Sequence, residues 1–181
     1  VIETVPADNT IGALVIQSIT SHKFGIGNSP FRAGAKAHFA ETVPFGFFKR
    51  QIFDRVGLFN EKLIRCQDFE FNQRVIHNGG KIYLDPKIVV CYFNQSKFLN
   101  FIRKQLLLEG PYNPLMWYLA PYTFKIRHAI TGVFSLGILI GPFTYFLTGF
   151  LFNVFFAICT TYVTLATLSS LQCYKEHRSM P

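Results

Sequence analysis

The stretch of this sequence with the clearest capacity for chemistry is residues 65–74, which read RCQDFEFNQR. Asp68 stands where a loop is expected to become a helix, and Glu70 follows two residues later. A carboxylate held at a helix start can reach a substrate hydroxyl at about 2.6–3.2 Å and take its proton as a general base. Arg74 follows Glu70 at the i, i+4 spacing of a helical ion pair, which favours a structural role for that pair.

The position of Asp68 also has a purely structural interpretation. A carboxylate in the first turn of a helix is favoured by the helix dipole and can cap the helix without contacting any substrate. The residue types and their spacing therefore leave both a catalytic base and a structural cap open at Asp68.

A second candidate is the run Glu41-Thr42-Val43-Pro44, which Gly46 follows closely. Glycine there would allow a ligand or another backbone segment to approach. Glu41 is equally consistent with an ordinary surface carboxylate. The Gly-rich segment 24–30 (FGIGNSP) is a weak phosphate-binding signal, because no strand precedes it and no GK[ST] follows, so a surface loop is the better interpretation.

The elements that must position these residues follow from hydrophobic spacing. Residues 8–10 (DNT) can cap a helix whose apolar face is Ile11, Leu14, Val15 and Ile19. The pattern also predicts an extended segment from residue 38, a helix that Gly57 stops, a helix over 68–77 and strands at 81–84 and 87–93. A basic amphipathic helix follows, with Ser96 as its cap and an apolar face formed by Phe98, Leu99, Ile102 and Leu106.

Charge divides the chain near His128. Charged residues make up only 15% of the sequence, and residues 129–174 contain no Asp, Glu, Lys or Arg. Because about 20 apolar residues cross a bilayer, this run fits two spans with a turn near Gly141 and Gly149. Basic residues on both flanks favour cytoplasmic ends. The alternative is a very hydrophobic soluble pair of helices.

The net charge of +8 does not indicate nucleic-acid binding, since the basic residues are scattered and no recognised DNA or RNA motif is present. A surface facing anionic lipid explains them more simply. The four cysteines form no CxxC pair, and the five histidines show no HxH or HExxH spacing, so neither a disulfide framework nor a metal site is expected.

Four segments resemble family 2 glycosyltransferases of the membrane-bound type that takes part in succinoglycan biosynthesis. They are 24–32 (FGIGNSPFR), 41–63 (ETVPFGFFKRQIFDRVGLFNEKL), 67–75 (QDFEFNQRV) and 79–86 (GGKIYLDP). The resemblance implies an α/β fold: the C-terminal, acceptor half of a GT-A domain, followed by an α-helical transmembrane hairpin. It implies Asp68 as catalytic base, with Gln67 where the family usually has Glu. It also implies an acceptor site formed by Glu41, Thr42, Gly46, Gln67 and Glu70.

The resemblance further implies an inverting transferase that moves a sugar from a nucleotide-sugar donor to a lipid-linked or polysaccharide acceptor at the cytoplasmic face of the cell membrane. Mg²⁺ or Mn²⁺ is expected for the full-length enzyme, with its ligands and most donor contacts outside this chain. The chain opens on Val1 without an initiator Met, so a fragment is expected. Because the donor half is missing from it, this fragment is expected to be inactive alone. The expected divisions are 1–95 (GT-A part), 96–127 (interfacial helix and aromatic connector), 128–174 (two spans) and 175–181 (cytoplasmic tail).

Two other functions remain open from the sequence. Gln67 and the missing donor half are compatible with a non-catalytic, membrane-anchored scaffold or binding subunit. A small membrane transport component is disfavoured, because ion and proton pathways usually carry ionisable residues within the spans.

Overall fold

The computed structural model describes residues 1–27, 29, 31, 32 and 36–178. It divides the chain into two compact units, Val1–Phe124 and Lys125–Pro181. The first unit mixes helices and strands, and the second consists of apolar helices.

The first unit contains two small sheets. Strand β1 (Ile2–Val5) pairs in parallel with β4 (Val90–Phe93), with Ile2 opposite Val90. Strand β2 (His38–Ala40) pairs antiparallel with β3 (Ile82–Leu84), with His38 opposite Leu84. The predicted extended start at residue 38 and both later strands are present, although the later two are shorter than expected.

Helix α1 (Ile11–Ser21) begins where the sequence predicts, because the Thr10 hydroxyl accepts a hydrogen bond from the Ala13 backbone N–H. Its predicted apolar face is wrong. Ala13 and Ile16 are fully buried, whereas Ile11 is 81% exposed.

The reason is close packing on the side of α1 that carries small residues. A Cβ on Gly12 would lie 2.6 Å from the Ser96 carbonyl oxygen, so this part of the helix approaches the chain ahead of residue 98. The Gln17 side-chain amide also donates to the Thr4 carbonyl oxygen at 2.9 Å, which holds the helix against β1. The larger residues Leu14, Val15 and Ile19 therefore remain partly exposed.

The short helix α2 (Lys23–Ile26) replaces the first part of the predicted Gly-rich loop. The His22 Nδ1 caps it by accepting from the Phe24 backbone N–H. Asn28 and Pro30, which complete that predicted loop, lie outside the described residues.

Helices α3 (Arg50–Val56) and α4 (Gln67–His77) enclose an aromatic core. Phe71 of α4 is completely buried, with ring centroids 4.6–5.2 Å from those of Phe48, Phe53 and Phe59. Gly57 ends α3 at φ +82°, a backbone conformation that favours glycine. Both helices agree with the sequence prediction, and this core fixes α4 against the loop before it.

A helical segment follows the strands: α5 (Phe98–Lys104), a π-helical turn (Gln105–Glu109), α6 (Gly110–Leu119) and a 3₁₀ turn (Pro121–Thr123). Lys97, not Ser96, is the N-cap of α5. Leu99 and Leu106 of the predicted apolar face are exposed, and basic Arg103 lies on the same segment.

The second unit contains α7 (Ile126–Ile140), a 3₁₀ turn (Gly141–Phe146) and α8 (Gly149–Arg178). By length and composition, the stretches Ile126–Phe146 and Gly149–Lys175 are two helices able to cross a membrane. A Cβ on Gly141 would overlap the Phe155 ring, so glycine permits the close contact at this turn. Helix α8 continues into the predicted tail as far as Arg178, and residues 179–181 lie outside the described part.

Candidate functional site at the start of helix α4

The chain enters α4 through Cys66, whose backbone is left-handed at φ 63° and ψ 12°. This conformation is uncommon for a residue other than glycine. The fully buried Leu63 anchors the preceding turn, and the Cys66 thiol donates to the Asn113 side-chain oxygen of α6 at 3.7 Å. The junction is therefore held by Leu63 in the loop before it and by the contact of Cys66 with α6.

Asp68 occupies the first turn of α4 and is exposed to solvent. Cys66 is the N-cap, and no side chain makes a capping hydrogen bond at this helix start. Within the described ranges, no hydrogen bond or ion pair involves the Asp68 carboxylate. Asp68 therefore makes no capping hydrogen bond with the described residues, and its carboxylate is available to a ligand, while its position still suits the helix dipole.

Glu70 faces the opposite way and is only 2% exposed. Its two carboxylate oxygens accept from Arg74 Nε at 2.9 Å and Nη2 at 2.8 Å, which confirms the predicted helical ion pair. The Tyr122 hydroxyl donates to the same carboxylate at 2.5 Å. Direct contact between Glu70 and an acceptor would require α4 to move, so its observed contacts are those of a supporting group.

Arg74 also ties α4 to the end of α3. Its Nη1 donates to the carbonyl oxygens of Val56 at 2.9 Å and Leu58 at 2.8 Å. Its guanidinium lies 5.3 Å from the centre of the Phe71 ring, within the range of a cation–π contact. One side chain thus joins Glu70, the α3 terminus and the aromatic core.

The loop that carries Glu41 and Thr42 is tethered to the middle of α4. Asn72 donates its amide to the Thr42 hydroxyl and to the Val43 carbonyl oxygen, both at 2.7 Å. Gln73 donates to the Glu41 carbonyl oxygen, also at 2.7 Å. Glu41 is exposed and Thr42 is half-buried, so the structure brings this loop and the Asp68 helix together.

Gly46 lies further along the same loop and lines a cavity of about 560 Å³ with residues of β3. A Cβ on Gly46 would lie 2.8 Å from the Phe48 ring, so a side chain there would disturb this wall. Neither Asp68 nor Gln67 lines the cavity. The predicted acceptor residues therefore form two neighbouring parts, not one pocket.

Sequence reasoning missed Asn72, Gln73 and Tyr122. Asn72 and Gln73 are adjacent, directly after Phe71, and the sequence gives no sign that both amides are buried and bonded to the loop of Glu41 and Thr42. Tyr122 is separated from Glu70 by 52 residues, so no local pattern could indicate that contact.

Two titratable groups around α4 have shifted acidities. Burial, with a smaller effect from Glu109, raises the pKa of the Cys66 thiol to about 11. Burial also raises the pKa of Tyr122 to about 12, and the hydrogen bond to Glu70 acts in the same direction. Both groups are protonated at neutral pH, so each can act as a hydrogen-bond donor.

A divalent metal would need several His, Cys, Asp or Glu side chains close together. Among residues 1–27, 29, 31, 32 and 36–178, no three His, Cys, Asp or Glu side chains converge in a way that could hold an ion. These described residues therefore do not provide the ligand set of a divalent metal.

The chain is similar to two curated proteins. One is the dolichyl N-acetyl-alpha-D-glucosaminyl phosphate 3-beta-D-2,3-diacetamido-2,3-dideoxy-beta-D-glucuronosyltransferase of Methanococcus voltae, 33% identical over 107 residues, covering 54% of this chain and 33% of the relative. The other is the succinoglycan biosynthesis protein ExoA of Rhizobium meliloti (strain 1021), 28% identical over 99 residues, covering 52% of this chain and 30% of the relative. The aligned region thus spans about a third of each.

No protein-family model matches the chain, and no solved structure gives a significant match. The two curated relatives confirm the resemblance to glycosyltransferases of the family 2 type that the sequence segments indicate. This relationship holds over about half of the chain, and it concerns the class of protein.

Proposed function

We propose that this chain is the acceptor-side part, the C-terminal half of a GT-A domain, of an inverting glycosyltransferase that is anchored to the cytoplasmic face of the cell membrane. The donor would be a nucleotide sugar, and the acceptor a lipid-linked sugar or a growing polysaccharide. The observation that carries the proposal is the exposed Asp68 at a braced helix start, with no hydrogen-bond or ion-pair partner among the described residues, in a chain similar to two glycosyltransferases.

In the proposed reaction, the Asp68 carboxylate takes the proton of an acceptor hydroxyl. The hydroxyl oxygen then bonds to the anomeric carbon of the donor, while the bond from that carbon to the nucleoside diphosphate breaks. One displacement inverts the anomeric configuration. The exposure of Asp68, and its lack of a partner in the part of the chain that the structure describes, support this role, because a general base must reach the substrate proton directly.

The acceptor is proposed to lie along the loop beside α4. Exposed Glu41 and half-buried Thr42 are held there by Gln73 and Asn72, and Gln67 begins the helix next to Asp68. Gly46, further along the loop, lets the Phe48 ring pack closely against the backbone. Glu70 supports the site from inside the fold. Binding of the donor diphosphate, and of Mg²⁺ or Mn²⁺ that would offset its charge, is assigned to residues outside this chain.

Membrane attachment is proposed to occur through α7 and α8. Basic residues flank the first apolar stretch at Lys125 and Arg127 and the second at Lys175, which favours a hairpin with cytoplasmic ends. Exposed leucines at positions 106–108 and basic Arg103 suit contact with anionic lipid headgroups. Confining enzyme and lipid-linked acceptor to one bilayer would raise their effective concentration.

The test compares sugar transfer by membranes that contain the full-length gene product and its Asp68→Asn variant, over a panel of radiolabelled nucleotide sugars. Loss of general-base assistance should lower kcat by about 10²–10⁴-fold. Asp54→Asn is the matched control, since Asp54 is an exposed aspartate on α3 and should leave transfer unchanged.

Equal transfer by the wild type and the Asp68→Asn variant would show that Asp68 is not the base. No transfer from any donor, by protein shown to be folded and inserted, would favour the non-catalytic scaffold that Gln67 also suggests.

A further inference from the structure

The segment between Gly110 and Thr123 contacts α4 at two separate points. At the helix start, Asn113 of α6 accepts the hydrogen bond of the Cys66 thiol. One turn later, Tyr122 of the 3₁₀ turn donates to Glu70 at 2.5 Å. These contacts lie on either side of Asp68 in the sequence, so α4 is braced immediately before and immediately after it.

The Tyr122 contact is the stronger of the two. A hydroxyl that donates to a carboxylate makes a charge-assisted hydrogen bond, which is shorter and stronger than one between neutral groups. The Tyr122 ring also stacks on His77 at the far end of α4, with ring centroids 5.0 Å apart and an interplanar angle of 15°. Tyr122 therefore spans the helix from its first turn to its last.

The position of Glu70 on the helix explains how a contact there can orient Asp68. Successive residues of an α-helix are turned by about 100°, so residues two apart point to nearly opposite sides. Glu70 is buried and Asp68 exposed, as this geometry requires. A bond that fixes the buried side therefore also fixes the direction in which the exposed carboxylate points.

The helix start needs such a fixed support. Cys66 adopts a left-handed conformation that is unfavourable for a side chain with a Cβ, and such residues persist only where the surrounding structure holds them. Asn113 supports this conformation by accepting the hydrogen bond of the Cys66 thiol. The Asn113 side-chain amide in turn donates to the Glu109 carbonyl oxygen at 3.0 Å.

We infer that Tyr122 is a positioning residue for Asp68, which acts through Glu70 to set the direction of the base from the segment just ahead of the apolar helices. Tyr122 does not touch the reacting atoms. The inference rests on the proposed function, in which Asp68 is the base. It assigns a part in catalysis to the connector after α6, which the sequence marks only as an aromatic stretch.

The test replaces Tyr122 by Phe in the full-length protein in membranes, which removes the hydroxyl and keeps the ring on His77. Because small misplacements of a reacting group are costly, kcat at saturating donor and acceptor should fall about tenfold, with the donor KM unchanged within about twofold. Tyr118→Phe is the control: Tyr118 lies on α6, is 83% exposed and should keep full kcat.

A double-mutant cycle separates positioning from a general loss of folded protein. In the Asp68→Asn background, Tyr122→Phe should lower the residual rate by less than about twofold, because the group that it orients is absent. Each rate is divided by the amount of protein that resists limited proteolysis, so that unfolded molecules do not contribute to the comparison. An equal tenfold loss in both backgrounds would overturn the inference, as would an unchanged kcat in the single variant.

The outcomes also separate this inference from the proposed function. If Asp68→Asn transfers sugar as well as the wild type, the base assignment fails and the inference fails with it. If Asp68→Asn is impaired and Tyr122→Phe is not, the proposed function stands and only the positioning role is refuted.

Discussion

Replacing Arg74 by Met should destabilise the first unit more than any loss of a surface ion pair. Arg74 donates two hydrogen bonds to Glu70 and two to the carbonyl oxygens of Val56 and Leu58. Met has similar length and would keep part of the packing on Phe71, so the change mainly removes the charge and its hydrogen bonds. Glu70, only 2% exposed, would retain just the Tyr122 hydroxyl.

The magnitude follows from that burial. Removing one partner of a buried ion pair costs about 3–5 kcal/mol, because the remaining charge stays without compensation. The two carbonyl groups each lose a hydrogen bond worth about 0.5–1.5 kcal/mol, although water reaches the one at Leu58. We therefore expect the free energy of unfolding to fall by about 4–6 kcal/mol, a large share of the 5–15 kcal/mol typical of a domain.

The assay is urea unfolding of the full-length protein in detergent, followed by the protease resistance of the first unit. Lys104→Met is the matched control, since it breaks the Lys104–Glu109 pair, at 3.8 Å and with side chains 22% and 31% exposed. The Lys104→Met substitution should lower the free energy of unfolding by about 1 kcal/mol or less. Adding Glu70→Gln to Arg74→Met should recover part of the loss, because the unpaired charge disappears while Tyr122 keeps an acceptor. Equal losses for Arg74→Met and Lys104→Met would refute the reasoning.

Two further predictions concern the ends of α4 and α3. The first uses a variant that retains only Cys66 among the four cysteines. Burial raises the pKa of this thiol from 9.0 to about 11 and so depletes the reactive thiolate. At about pH 8, the folded variant should therefore react with an alkylating reagent roughly a hundredfold more slowly than the same variant in denaturant. A helix N-terminus normally lowers a thiol pKa, so a faster reaction in the folded state would show that the helix outweighs burial. Gly57→Ala should lower stability by about 1–2 kcal/mol, because φ +82° is strained for alanine. Gly137→Ala, at an open helical position, should leave thermal unfolding unchanged or slightly raised, and similar losses for both would contradict this explanation.

The helices around the candidate site could be predicted because their signals are local. Thr10 caps α1, Gly57 ends α3, and the spacing of Phe71 and Val75 marks the buried side of α4. The apolar side of α1 was wrong because hydrophobic spacing identifies large residues, whereas the fold uses Gly12 and Ala13 for close approach. A periodicity of large side chains cannot show which neighbour a helix will meet.

The candidate site shows the same division between local and distant information. The helix start at Asp68 and the Glu70–Arg74 pair are local features, so residue spacing sufficed to predict them, whereas the role of Asp68 as base came from the family resemblance and stays a prediction. Tyr122 reaches Glu70 across 52 residues, and only the folded connector brings them together. Arg74 alone donates to both oxygens of Glu70, so the local pair gave no sign of a further donor. At 100° per residue, Glu70 lies on the side of α4 away from Phe71 and Val75, where an exposed ion pair with Arg74 is the ordinary expectation. The burial of Glu70 and its third donor therefore come from the 3₁₀ turn that folds back onto this side of the helix.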